Sequence, residues 1–151
     1  MIEELLIFEI EGRNYGLQVD CVREVLRSVA LSPAPSTDDR VEGVMNLRGR
    51  SVVVIDIRHH FDLAPRRMMP TDFLIVIEVD SHLIAIRVDR AELKSTGGLS
   101  LEPTDPAVHS SKSVTGVVNL DAQVAYLLDP RKLLLPAILL SDVSGLTEGT
   151  K

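Results

Sequence analysis

In this chain of 151 residues, those whose types could carry catalysis fall in spacings that suit no common active site. The histidines are His59, His60, His82 and His109. His59 and His60 are adjacent, so on a helix or a strand they point apart. None of the four falls in an HExxH or CxxC…H spacing that would ligate zinc. Cys21 is the sole cysteine, and it could act as a nucleophile only beside a group that holds the thiolate. Arg23 is near in sequence, but no catalytic framework surrounds the pair, so an indifferent thiol is expected. Asp38-Asp39 lie in a Ser/Thr/Pro stretch with neither a further acidic cluster nor a strand-end Lys. They read as a surface turn rather than a metal or phosphoryl site. There is no GxxxxGK[ST], no GxGxxG after a strand and no GxSxG. No catalytic residue, metal ligand or cofactor site is expected, and the chain reads as a non-enzyme.

Composition narrows the remaining classes. Hydrophobic residues make up 45% and charged residues 25%, enough for a buried core and incompatible with a disordered or collagen-like chain. Aromatics are only 3%, so aliphatic side chains must fill that core. A net charge of −6 with no basic block argues against binding a phosphate backbone, and sparse aromatics argue against stacking on bases. No nucleic-acid partner is expected. The longest apolar run, near 133–140, is far shorter than the roughly 20 residues that span a bilayer. The opening MIEELLIFEIEG lacks the basic region of a secretory signal. A cytoplasmic protein without direct membrane insertion is expected.

The elements that would position any site are mostly strands. Leu6, Phe8 and Ile10 alternate with polar neighbours, a period of two with one wet face. Gly12-Arg13-Asn14 has turn chemistry, and Tyr15, Leu17 and Val19 resume the alternation, which predicts a β-hairpin. Leu31–Asp39 reads as an extended loop. Val52–Ile55 and Phe73–Ile77 are continuous runs expected as buried strands. Leu83–Val88 places Ile84, Ile86 and Val88 on one face, and Val124–Leu128 is a late strand. Asp56 and Asp129 each follow a strand and precede a short segment, so each should cap a short helix. Pro130 suits a first helical position, and Pro136 should end or kink that helix. Residues 140–151 should form a tail with little to anchor it.

The chain also matches itself. FEIEGRNYGLQVD (8–20) aligns without a gap to IEVDSHLIAIRVD (77–89), 69 residues later. VEGVMNL (41–47) aligns to VTGVVNL (114–120), 73 residues later, and at that shift Asp56 meets Asp129 and Arg58 meets Arg131. Two related halves are expected, about 5–65 and 73–136, within one domain spanning 1–151. A half of this size should form a small closed barrel and pack against the other.

Tyr15-Gly16, Val22-Arg23-Glu24-Val25, a Pro-containing loop, Gly43-Val44-Met45-Asn46-Leu47-Arg48-Gly49 and Val54-Ile55-Asp56-Ile57-Arg58 follow in that order. This arrangement resembles the CheW family of chemotaxis coupling proteins from about Leu5 to Leu135. The resemblance implies a mainly β fold, two SH3-like five-stranded β-barrels packed together, with short helices at strand ends and at the C-terminus. It implies a non-catalytic adaptor with two partners, the regulatory domain of a CheA-type histidine kinase and the cytoplasmic tip of methyl-accepting chemoreceptors. The partner-binding residues carried over are Val19, Val22, Glu24, Gly43, Asn46 and Arg48. Glu24 and Arg48 are implied as opposite charges held close at that surface. Gly43 and Gly49 also admit a plain backbone reading, as places needing positive φ or close approach. Asn46 could likewise cap a turn. The second half has Asp121-Ala122 where the first has Arg48-Gly49. Arg66-Arg67-Met68-Met69 lies between the halves and is expected to pack back on a barrel. Two alternatives stay open: a coupling protein of a non-flagellar chemosensory pathway, and a small ligand-binding barrel.

Overall fold

The protein's structure, a computed structural model, describes residues 4–33, 40–95, 113–120 and 123–133. Asp38-Asp39, Gly97-Gly98, His109, Asp121-Ala122, Pro136 and the expected tail lie outside the described residues.

Among the described residues ten strands follow in order: β1 (Glu4–Ile10), β2 (Arg13–Gln18), β3 (Val22–Arg27), β4 (Val41–Leu47), β5 (Arg50–Asp56), β6 (Phe73–Val79), β7 (His82–Val88), β8 (Arg90–Ser95), β9 (Val114–Leu120) and β10 (Gln123–Leu128). The β1–β2 hairpin forms as expected, but its turn is Glu11-Gly12, with φ of 53° and 78°. Two central residues at positive φ match the right-handed twist of the flanking strands. Arg13 and Asn14 therefore belong to β2, not to the turn. Val19 has left the strand for a 3-10 turn, Val19–Cys21. Arg48-Gly49 (φ 50° and 85°) and Asp80-Ser81 (φ 51° and 70°) make the same kind of turn in the β4–β5 and β6–β7 hairpins.

The strands form two five-stranded sheets, in the orders β8-β1-β2-β10-β9 and β3-β6-β7-β5-β4. Each sheet mixes strands from both halves of the chain. Replacing every strand by the one five places along converts either sheet into the other. Two short parallel pairings, β2 with β10 and β5 with β7, carry the exchange. In the second sheet the edges β3 and β4 are brought together where Ser32 bridges Val44, with both backbone bonds at 2.8 Å. That bridge closes the second barrel.

The apolar periodicity feeds three cores. Leu6, Phe8, Ile10, Ile75, Ile77, Ile84, Ile86 and Val88 meet in the core shared between the sheets. Leu5, Ile7, Val118, Ala125 and Leu127 pack together on the first sheet. Met45, Val52, Val54, Leu74, Val76 and Ala85 do so on the second. β1 was expected to have one wet face, yet Leu5 and Ile7 are as buried as Leu6 and Phe8. Both faces are covered because a barrel wall has an interior on one side and the neighbouring barrel on the other.

The helices at strand ends are short. Asp56 Oδ1 accepts the Arg58 amide at 3.0 Å, and Arg58–Phe61 is a single 3-10 turn. Asp129 Oδ1 accepts the Arg131 amide at the same 3.0 Å, opening a helical turn at 130–133. Asp129 caps as its position predicts, whereas Asp56 stands one residue before the N-cap, Ile57, which makes no side-chain cap bond, and the Asp56 carboxylate instead closes a local turn onto the Arg58 amide.

Candidate functional site

Glu24 and Arg48 come from opposite edges of the second sheet. Glu24 sits on β3, where a bulge follows Val22 and sets Glu24 opposite Val76. Arg48 occupies the β4–β5 turn in the left-handed region. The Asn46 side-chain oxygen accepts the Gly49 amide at 2.8 Å, holding the turn that aims Arg48. The two charges meet in a two-pronged bond, Nη1 to Oε2 at 2.7 Å and Nη2 to Oε1 at 2.6 Å. Such a fork fixes the guanidinium plane. The Arg48 side chain is 72% exposed and Glu24 only 24%, so the arginine's outer face is free to meet another molecule. The bond to Arg48 holds the Glu24 carboxyl below its ordinary range, and Glu24 in turn raises Arg48.

Val22 lies two positions from Glu24 on β3 and is half-buried, and so is Val19 in the preceding turn. Val25, on the outer side of the same strand, is exposed. Gly43 does not join this surface. It is buried at a bulge in β4, and a Cβ there would stand 2.6 Å from the Ser32 carbonyl and 2.9 Å from Leu31 Cβ. The close-approach reading is the one its surroundings support.

The residues that looked reactive are quiet. The Cys21 thiol donates to the Gln18 carbonyl at 3.2 Å, and burial, aided by Asp20, pushes it up to about 11. His59 and His60 lie with ring centres 4.2 Å apart. The Ser113 hydroxyl lies 3.0 Å from His60 Nδ1. Burial, then His59 and Arg40, lowers His60 to about 4. Among the described residues no His, Cys, Asp or Glu cluster is arranged to hold a metal.

Sequence reasoning missed a buried charge cluster beside the inter-half linker. Arg87 on β7 is fully buried. Its guanidinium donates to Glu42 at 2.7 Å, Asp72 at 3.2 Å and Asp56 at 3.3 Å, and to the Arg66 carbonyl. Arg66 bonds Asp72 at 2.8 Å and Asp89 at 2.6 Å. Arg58, 1% exposed, bonds Asp89 at 2.5 Å. Asp72 Oδ2 also accepts the Met69 amide, and the Ser28 amide and hydroxyl bond Asp72 and Met69 carbonyls. The linker thus packs back on the barrel, as expected, with Met68 against the interior and Met69 exposed. The only hint in the sequence was the recurrence of Asp56 and Arg58 as Asp129 and Arg131.

The CheW-like domain model matches residues 4–136. The chain is 28% identical over 137 residues to the chemotaxis protein CheW of Klebsiella aerogenes, covering 87% of this chain and 81% of that protein. It is 26% identical over 133 residues to the chemotaxis protein CheW of Thermotoga maritima, covering 87% of each. The crystal structure of a scaffolding protein, CheW of Thermoanaerobacter tengcongensis, is similar with a TM-score of 0.76 at 26% identity, over 85% of this chain and 90% of that one. Among the described residues no helix is long and apolar enough to cross a membrane.

Proposed function

The chain belongs to the CheW-like domain family, a family of chemotaxis scaffold proteins, and from that premise we propose that it couples chemoreceptors to a CheA-type histidine kinase in the cytoplasm. It binds and does not catalyse. The Glu24–Arg48 pair is the observation that carries this reading. A rigid, forked charge pair with its arginine face exposed stabilises the fold little, but it presents fixed donors to a partner. Val19 and Val22 supply the apolar contact beside it. Asn46 sets the turn that aims Arg48, and Gly43 acts from beneath by letting the barrel edges close. The kinase regulatory domain and the receptor tip occupy separate faces, so holding both raises their effective concentration to each other.

Calorimetric titration with the regulatory domain of a CheA-type kinase from the same genome tests this. A Kd of about 1 µM or tighter is expected, close to −8 kcal/mol. Arg48→Glu should weaken it about tenfold by placing two carboxylates together, and should leave the thermal midpoint nearly unchanged. Unaltered binding, or an unfolded variant, refutes the assignment of Arg48 to the partner surface. No binding at ~100 µM refutes the coupling of that kinase.

A further inference from the structure

The strand-for-strand equivalence of the two sheets gives the buried charge cluster a counterpart elsewhere in the molecule. Ile77 pairs with Val22 as Phe8 pairs with Ala91, so the registers correspond as well as the order. Asp56 then corresponds to Asp129, Arg58 to Arg131, Glu11 to Asp80 and Asp89 to Asp20. The local geometry repeats in detail. Each first aspartate accepts the amide two residues on at 3.0 Å. Arg58 stands 3.5 Å from Glu11, and Arg131 stands 3.4 Å from Asp80.

What fills the two places differs. In the first, three guanidinium groups, those of Arg58, Arg66 and Arg87, are ligated by Glu42, Asp56, Asp72 and Asp89. In the second, Arg87 is replaced by Gln18 and Glu42 by Thr115. Arg131 is 71% exposed, against 1% for Arg58. Where Arg58, Arg87, Asp56 and Asp72 of the first cluster are buried, the second borders a cavity of about 410 Å³, lined by Asp20, Asp80, Asp129 and Arg131 over Val79 and Leu128. Glu78 at its rim is engaged by Arg23 at 2.7 Å.

We propose that this cavity is a docking socket for an arginine side chain presented by a partner protein. The acidic residues alone would not single it out. The related place in the same molecule does, because there the corresponding carboxylates Asp56 and Asp89 ligate guanidinium groups. The carboxylates favour a cation, and Val79 and Leu128 suit the methylene stem. Planar, forked recognition favours arginine over lysine. The proposal does not rest on the role of Glu24 and Arg48.

The test is a two-dimensional ¹⁵N–¹H NMR titration of the full chain with the tripeptide acetyl-Gly-Arg-Gly-amide. Acetyl-Gly-citrulline-Gly-amide, of the same shape without the charge, is the control. Saturable shifts confined to the amides of residues 18–21, 79–80, 128–129 and 131 are expected from the arginine peptide only. The Asp20→Asn/Asp80→Asn double variant, in which both changes are exposed, should lose about fivefold in affinity. Equal shifts from the citrulline peptide, shifts scattered over other acidic surfaces, no shifts, or unchanged affinity in the double variant would each overturn the socket.

Discussion

Gly43 separates the two readings of the stretch around it, because one predicts a folding defect and the other a binding defect. Adding a methyl group at Gly43 puts a Cβ 2.6 Å from the Ser32 carbonyl oxygen and 2.9 Å from Leu31 Cβ. The first of these is backbone and cannot swing aside like the end of a flexible side chain. The chain must open where Ser32 and Val44 exchange their two 2.8 Å bonds. Losing two such bonds costs about 1–3 kcal/mol at a net 0.5–1.5 each, and forcing extra volume into a packed site costs about 1–3 kcal/mol where it cannot relax. The two costs overlap, since opening the bridge relieves the clash, so the sum is about 2–4 kcal/mol. For a chain of this length that lowers Tm by roughly 4–16 °C. Urea denaturation of Gly43→Ala, with scanning calorimetry alongside, reads it directly. An unchanged midpoint together with lost partner binding would refute the argument and put Gly43 on the contact surface.

The other expectations concern buried charge and turn geometry. Arg87→Met leaves Glu42, Asp56 and Asp72 facing one another without their shared cation. Breaking a buried network in this way should cost about 3–5 kcal/mol, read as a lower urea midpoint. His60 is held neutral, with its folded value near 4 against an unfolded value near 6.5. Its contribution is therefore complete above about pH 6.5 and is lost as pH falls from there toward 4, by about 1–3 kcal/mol after allowing for partial exposure. His60→Gln should flatten that acid limb in a pH series of thermal midpoints. Asn46→Ala removes the acceptor of the Gly49 amide and should cost about 0.5–1.5 kcal/mol, whereas Asn46→Asp, which keeps the oxygen, should largely restore stability.

Much of the fold was legible because aliphatic alternation is local. The β1–β2 hairpin, the β5, β6 and β7 runs and the capping Asp129 all announce themselves within a few residues. β3 and β8 did not. VREVLR alternates between half-buried and exposed positions, and RAELKS is mostly polar, because both are edge strands with little to bury. The strand exchange was also invisible. Self-similarity reports that two segments resemble each other, not which copy each strand pairs with, and parallel pairings of three or four residues leave no signature in the sequence. Arg87 was hidden for the opposite reason. Alternation in Leu83–Val88 marks Arg87 as the polar side of the strand, but the partners that make burial tolerable, Glu42, Asp56 and Asp72, are 15 to 45 residues away.

The candidate site was legible through its motif order, and its geometry explains why binding and stability should separate there. β3 and β4 are the edges of the second sheet, and two devices join them. One is the pair of backbone bonds between Ser32 and Val44, which lies beside buried Gly43. The other is the Glu24–Arg48 fork, which is reached by solvent along most of the arginine. Opening that bridge gives up two backbone bonds at once, about 1–3 kcal/mol at a net 0.5–1.5 each. An exposed ion pair is cheap to lose, because water replaces each partner. The barrel is therefore held shut by the bridge, and the fork is left free to change partners. A molecule that displaces Glu24 from Arg48, or adds a carboxylate to the outer face of the guanidinium, meets a pre-oriented cation without having to open the fold.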